Sequence, residues 1–336
     1  MDRDVMATIM ERARTARCRY VLPEGLEERV IRAAVLAAEQ GLGTPLLLAE
    51  RAAVEAKADE MGLTLRGVEV VDPKSYDKFE EYVDLYVQLR RDRTSCVTPG
   101  IARRVLARPV YLGAMMVRMG DADAMVAGAA TITATVIRAG ELLIGLQEGV
   151  TVPSSFFLMD VPGFGPLFFA DAAVNPDPAP KELAAIAIAT ARSFRAVMGG
   201  EPRVAMLSFS TKGSAAHPLV EKVVKATELA RELAPDLLID GELQADAALV
   251  PAVAAKKLKE PGPVAGQANI LIFPDLNSGN IGYKLVQHLA KARAYGPILQ
   301  GFRRPISDLS RGATPEEIVG VMAILGAMAA GSREVT

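Results

Sequence analysis

Short apolar runs alternate with longer amphipathic segments through most of this sequence, and that rhythm narrows the possible folds more than any other feature. Residues 19–23 (RYVLP), 45–49 (PLLLA) and 68–71 (VEVV) read as buried strands, and the segment between the first two, 27–40, reads as a helix ending at Gly41. The pattern returns at 124–128 with a helix over 131–145, then at 154–159, 204–209, 237–239, 270–273 and 297–299. Helices are expected over 181–198, 218–233 and 281–293, with a turn at 161–166. Strands separated by helices predict parallel sheets with helices packed on them. With 336 residues, half of them hydrophobic, two domains are expected rather than one.

Several function classes are disfavoured by composition. The two cysteines, Cys18 and Cys96, and the two histidines, His217 and His288, supply neither a zinc cage nor a disulfide framework. A reducing cytoplasm is the natural compartment, and a formal net charge of −2 gives no basic footprint for nucleic acid. Residues 1–19 are charged throughout, with Val5, Ile9 and Ala13 at helical spacing, so they read as a first helix or a docking or targeting helix, not a signal peptide. The apolar segment 318–331 is too short to cross a bilayer and reads as a buried or dimer-facing helix. No membrane partner is expected.

The stretch 296–318, GPILQGFRRPISDLSRGATPEEI, gathers the most chemistry. A strand gives way to a Gly/Pro-punctuated loop ending in DLSRG, and the loop feeds a helix. Thr314 is the expected N-cap, Pro315 the first helical residue and Glu317 the carboxylate three residues on, which together make a capping box. A hydroxyl, a guanidinium and carboxylates therefore meet where free backbone N–H groups favour anions.

Other candidates sit at strand ends. Gly128 closes an apolar run before Thr131, where an anion can approach the backbone, and Arg138 follows in the next helix. Ser210, Thr211 and Lys212 form a hydroxyl-rich loop that is either a phosphate cradle or a plain turn, but GxxxxGK[ST] does not occur. Asn280 is either a ligand or the N-cap of the helix expected from 281. The carboxylates of Asp240-Gly241-Glu242 could bind a metal, although turn and capping roles are commoner for such residues. Arg90, Arg91, Arg93, Arg103 and Arg104 fit a solvated helix face. Neither the GxGxxG dinucleotide fingerprint nor a GxSxG elbow is present.

The block GPILQGxxxPIxDLSRG, with a carboxylate seven residues after its serine, resembles the C-terminal signature of the phosphate acetyltransferase (phosphotransacetylase) family. FADAAVNPDP (169–178), PRVAMLSFSTKGSA (202–215), DGELQADAAL (240–249) and VAGQANILIFPDLNSGNIGYKLVQHLAKA (264–292) resemble family blocks in the same order. The resemblance implies two three-layer α/β/α domains with mainly parallel sheets, similar to the isocitrate/isopropylmalate dehydrogenase-like fold, with the active site in the inter-domain cleft. It implies domain I over 1–148 plus 297–336, domain II inserted over 149–296, and a homodimer.

The implied reaction is reversible acetyl transfer between coenzyme A, a cosubstrate and not a bound cofactor, and inorganic phosphate. The coenzyme A thiol attacks acetyl phosphate and phosphate leaves. Arginine forks can neutralise the phosphoryl charge, so no metal is expected. Ser310 and Arg311 match the catalytic serine and arginine of the family, and Glu317 stands where its base, usually Asp, stands. Arg138 matches a phosphoryl-binding arginine, and Arg90, in LRRDRTSCVT, takes the place of a substrate-binding one at a longer local spacing. Ser210, Thr211 and Lys212 match too, whereas Ala172 replaces a cysteine of many members, implying that no thiol is needed. A free thiol titrates near ~8.5 and a glutamate near ~4.3, so full proton transfer costs about 6 kcal/mol. A carboxylate base must therefore be desolvated, or take the proton as the C–S bond forms. The capping box is the competing role for Glu317. Propionyl or butyryl transfer, a non-catalytic regulatory or dimerisation module, and a decarboxylating dehydrogenase of similar fold are the alternative readings.

Overall fold

The computed structural model describes residues 5–91 and 97–333, so Arg93 and Cys96 lie outside the described residues. In chain order the first elements are α1 (Val5–Ala16), β1 (Cys18–Leu22), α2 (Glu28–Glu39), β2 (Gly43–Leu48), α3 (Arg51–Glu60), β3 (Glu69–Val71), α4 (Phe79–Arg90), α5 (Pro99–Leu106), α6 (Pro109–Met119), β4 (Ala124–Val126) and α7 (Thr133–Ala139). There follow β5 (Ser154–Val161), β6 (Gly165–Ala170), α8 (Pro180–Met198), β7 (Arg203–Leu207), α9 (Pro218–Leu233), β8 (Leu238–Leu243), α10 (Ala245–Leu249), α11 (Pro251–Lys257), β9 (Ile270–Ile272), α12 (Leu276–Leu289) and β10 (Arg293–Gln300). The last two are β11 (Ile306–Ser307) and α13 (Pro315–Arg333).

Two compact units result. One is discontinuous, drawn from residues 8–146 and from 302 onward, and the other is inserted between them over 147–301, joined by the first turn of α1. In the discontinuous unit the strands run β3-β2-β1-β4-β11, every pair parallel. Neighbouring side chains on a strand point to opposite faces. Val21 of β1 meets α6 at Gly113, where an added Cβ would lie 3.4 Å from Val21 Cγ2, while Tyr20 meets α13 at Gly326. Helices therefore cover both faces of this sheet.

In the inserted unit the order is β10-β5-β6-β9-β7-β8. The β10/β5 and β5/β6 pairs are antiparallel and the rest parallel. Adjacent aromatics of β5 show the layering: Phe156 stacks on Phe168, which meets Phe194 of α8, while Phe157 stacks on Tyr283 of α12. Each unit is thus a three-layer α/β/α sandwich, as expected. Two buried polar ties explain sequence blocks that looked functional. Asp171 of FADAAVNP accepts the N–H groups of Ala173, Val174 and Asn175 together with the Ser155 hydroxyl. Gln300 of GPILQG donates to Ser154 and Thr190 at 3.0 and 2.8 Å and accepts from Ser193.

The structure departs from the sequence reading in several places. The run 297–299 is part of β10, pairs with β5, and so belongs to the inserted unit; the chain re-enters the first unit at Phe302. The helix expected over 281–293 is α12, which starts at Leu276, because the Asp275 carboxylate accepts the Ser278 N–H at 2.9 Å and caps it. Asn280 therefore lies inside the helix. The helix expected over 131–145 is α7 followed by a π-helical turn, Gly140–Ile144. Strand β8 runs past Ile239, taking Asp240-Gly241-Glu242 into the sheet, and β6 forms a hairpin with β5 that the periodicity did not reveal. Segment 318–331 is a buried helix: Ile318 to Leu325 are at most 2% exposed wherever the residue is not glycine.

A Cβ on Gly326 would sit 2.2 Å from the Tyr20 hydroxyl and 3.0 Å from Ala13 Cβ. Gly326→Ala should cost about 1–3 kcal/mol through overpacking. Placed in a Tyr20→Phe background, the same substitution should cost measurably less in a denaturant double-mutant cycle; equal costs in both backgrounds would dissociate α13 from that contact.

Candidate functional site

The DLSRG loop leaves the sheet directly after β11, whose Ser307 pairs with Val126 of β4. Two neighbouring strand ends therefore project side by side, one continuing into Gly128–Thr131 and the other into Asp308–Ala313. Asp308 is 2% exposed, and its Oδ2 accepts the Thr133 hydroxyl at 2.6 Å. Its Oδ1 has no hydrogen-bond partner among the described residues. A Cβ on Gly128, at φ 113°, would lie 2.2 Å from that oxygen, so only glycine allows the two loops this approach. Burial pushes the Asp308 carboxyl up to about 6; the charge of Glu24 adds to the rise and the Thr133 hydroxyl opposes it.

Glu24, just beyond β1, holds the facing loop. Its carboxylate accepts the N–H groups of Gly128, Ala129, Ala130 and Thr131 at 3.0, 2.8, 2.8 and 2.6 Å. Those amides form an anion cradle, as strand-to-helix turns do, and here a side chain of the same chain occupies it. Arg29 of α2 then joins both loops. Its guanidinium donates to the carbonyls of Arg311 (2.6 Å), Ala313 (3.3 Å) and Ala129 (3.1 Å), and to Glu27 at 2.8 Å. Neither Glu24 nor Arg29 was singled out in the sequence, because their partners lie some hundred or more positions away. A carboxylate and an arginine flanking the turn after a first strand, PEGLEER, was the only available signal.

Ser310 and Arg311 are exposed at the tip of the loop. The Ser310 carbonyl accepts the Ala313 N–H at 3.0 Å, and the Arg311 guanidinium pairs with no described residue. The capping box of α13 is present: the Thr314 hydroxyl accepts the Glu317 N–H at 3.2 Å, and Glu317 Oε2 accepts the Thr314 N–H at 2.9 Å. Among the described residues no donor reaches Glu317 Oε1. Gly128, Thr131, Ser310, Arg311 and Glu317 thus belong to one frame. Arg138, exposed in the last turn of α7, makes no ion pair with a described residue. Arg90 ends α4 with its Nε buried and without a hydrogen-bond partner among the described residues.

The remaining candidates lie in the inserted unit, each in a local network. Ser210 is fully buried, and its hydroxyl donates to Glu242 at 2.9 Å. Thr211 accepts the Gln244 N–H at 3.0 Å. Lys212 pairs with Asp240 and donates to the Gly241 carbonyl at 2.7 Å, and Arg231 also pairs with Asp240, so ion pairs engage that carboxylate. Asn280 donates to the Ala172 carbonyl at 3.1 Å. Among the described residues no three His, Cys, Asp or Glu side chains are grouped as a metal site requires. Nor is any described helix long and apolar enough to cross a membrane.

A family profile described as phosphate acetyl/butaryl transferase matches residues 4–326. The chain belongs to that family. A phosphate acetyltransferase of Thermoanaerobacterium thermosaccharolyticum is 46% identical over 325 residues, covering 95% of this chain and 97% of its own. The crystal structure of a phosphotransacetylase from Streptococcus pyogenes superposes with a TM-score of 0.90 at 41% identity, covering 98% of this chain and 99% of the other. A 4-hydroxythreonine-4-phosphate dehydrogenase from Klebsiella pneumoniae, at 11% identity and a TM-score of 0.54 over 93% of this chain and 99% of its own, shares the fold alone.

In this phosphate acetyl/butaryl transferase family member, Asp308 has a measurable signature. Its folded carboxyl titrates near 6, above an unfolded aspartate near ~3.9, so the folded state binds the extra proton between these values. Stability from this group is therefore fully present below pH ~4 and is lost as pH rises through about 6, a cost of about 3 kcal/mol at neutral pH. Asp308→Asn should be more stable than the parent at pH 8, and the gain should shrink toward pH 4 in denaturant titrations. A gain independent of pH would mean that Asp308 does not titrate in this window.

Proposed function

We propose that this chain is a phosphate acetyltransferase, transferring an acetyl group reversibly between coenzyme A and inorganic phosphate. The observation that carries the reading is the exposed Ser310-Arg311 tip: the Arg311 main chain is held by Arg29 while its guanidinium remains available to an anion. A planar fork presented in this way suits the phosphoryl oxygens of acetyl phosphate or the phosphates of coenzyme A. Ser310 would donate to the carbonyl oxygen as negative charge develops there. Arg138, exposed and without an ion pair among the described residues, supplies a second cation from the same unit, and Arg90 is proposed as a further substrate contact.

The bond changes balance without a further reactant. The thiol proton passes to a base, the sulfur forms a bond to the acetyl carbon, and the carbon–oxygen bond to phosphate breaks as phosphate takes the electron pair. Glu317 is the proposed base. Oε2 holds the helix cap, leaving Oε1 as the proton acceptor, so capping and catalysis use different oxygens of one carboxylate. The enzyme is proposed to act in the cytoplasm as a homodimer. The second part draws support from Ile281, Leu285 and Leu289, each more than half exposed at successive helical turns of α12.

Phosphate-dependent release of free thiol from acetyl-CoA, compared with propionyl- and butyryl-CoA, tests the reaction. Fast release with acetyl-CoA is expected, and none with any of the three would exclude the activity. Arg311→Ala should lower kcat/KM by about 100-fold or more while leaving the thermal midpoint within a degree or two. Glutamine also serves at the third position of a capping box, so Glu317→Gln separates the two roles of that residue. Loss of kcat by about 100-fold or more at unchanged stability is expected for a base; retained kcat would assign Glu317 to the cap alone.

A further inference from the structure

Arg29 sits in the first turn of α2, where the helix macrodipole disfavours a cation. Glu27 offsets part of that cost, but a shorter neutral residue would avoid it entirely. The Arg29 side chain is 30% exposed, and besides Glu27 its guanidinium donates to three main-chain carbonyls on two loops. Holding the carbonyls of Arg311 and Ala313 fixes the peptide planes that follow them. The first sets the direction in which Arg311 leaves the loop, and the second leads into Thr314, the cap that engages Glu317. The Ala129 carbonyl ties the same guanidinium to the loop gripped by Glu24.

We propose that Arg29 is a positioning residue for acetyl transfer, aiming Arg311 and the Glu317 cap by clamping the Arg311–Ala313 main chain against the Gly128–Thr131 loop. Lysine cannot do this, because one ammonium lacks the fork that reaches separated carbonyls. A displacement of ~1 Å in such a group costs catalysis about 100-fold, so the clamp acts on turnover more than on substrate binding. The inference rests on the acetyltransferase reading for its kinetic part and on the geometry for its structural part.

The test compares the full chain with Arg29→Lys and Arg29→Ala by steady-state kinetics, thermal melting and amide hydrogen exchange over residues 309–314. Both variants should exchange faster in this segment. Arg29→Ala should lose about 100-fold in kcat and Arg29→Lys about 10-fold or more, with KM for acetyl-CoA within about threefold. Millimolar guanidinium should restore part of kcat to Arg29→Ala and none to Arg29→Lys. A kcat per folded molecule within twofold of the parent in both variants would overturn the proposal, as would unchanged exchange over 309–314. If the parent itself releases no thiol, the activity reading fails, and the exchange measurement alone decides whether the clamp exists.

Discussion

Four backbone N–H groups converging on the carboxylate of Glu24 are the contact on which the candidate site depends. Left unpaired, these donors would each carry a desolvation penalty wherever the loop is buried, and the loop would have to reorganise. With Glu24 in place the turn after β4 is tied by four hydrogen bonds, and Gly128 packs against Asp308 of the loop after β11. Arg29 completes the arrangement from the far side of the same β1–α2 turn. A short segment near the start of the chain thereby organises loops that are encoded a hundred and nearly three hundred residues later.

This arrangement accepts local costs. Asp308 is a carboxylate kept where burial opposes its charge, and Arg29 is a cation at the wrong end of a helix. Local rules are broken where side chains or backbone must be held in a geometry that stability alone would not choose. The corresponding loop of the inserted unit accepts costs of the same kind, with Lys212 at φ 48° and the Glu242 carboxylate 3% exposed, but its side chains find partners. Ser210, Thr211 and Lys212 are satisfied by Glu242, Gln244 and Asp240, which makes that loop a well-packed corner in this structure.

Local chemistry made much of the fold readable. Tyr20 and Val21, Leu271 and Ile272 are apolar neighbours on parallel strands buried on both faces, and such continuous runs between helical segments announce parallel sheets. Thr314 and Glu317, three residues apart, announce a capping box and form one. What sequence pattern missed depends on distant partners. Asn280 looked like a cap because it precedes an apolar periodic run, yet Asp275 captures the helix start one turn and a half earlier. Segment 297–299 looked like a strand feeding the DLSRG loop, whereas its hydrogen bonds go to β5 and the chain must still travel to Ile306 before reaching β4. For Glu24 the periodicity is silent, since four amides on another loop define its role.

The position of β11 and α13 in the chain has a consequence for biosynthesis. Strand β4 has β11 as its outer neighbour, and α13 covers the face presented by Tyr20, yet both are made only after the entire inserted unit. At typical elongation rates of ~5–20 residues per second, the nascent discontinuous unit waits roughly 10–30 s with an open sheet edge and an uncovered apolar face. During that interval the inserted unit, whose strands are all contiguous within 147–301, can finish folding first. The order of synthesis thus makes the half that carries DLSRG the last to close, and exposes it to chaperone capture on the ribosome.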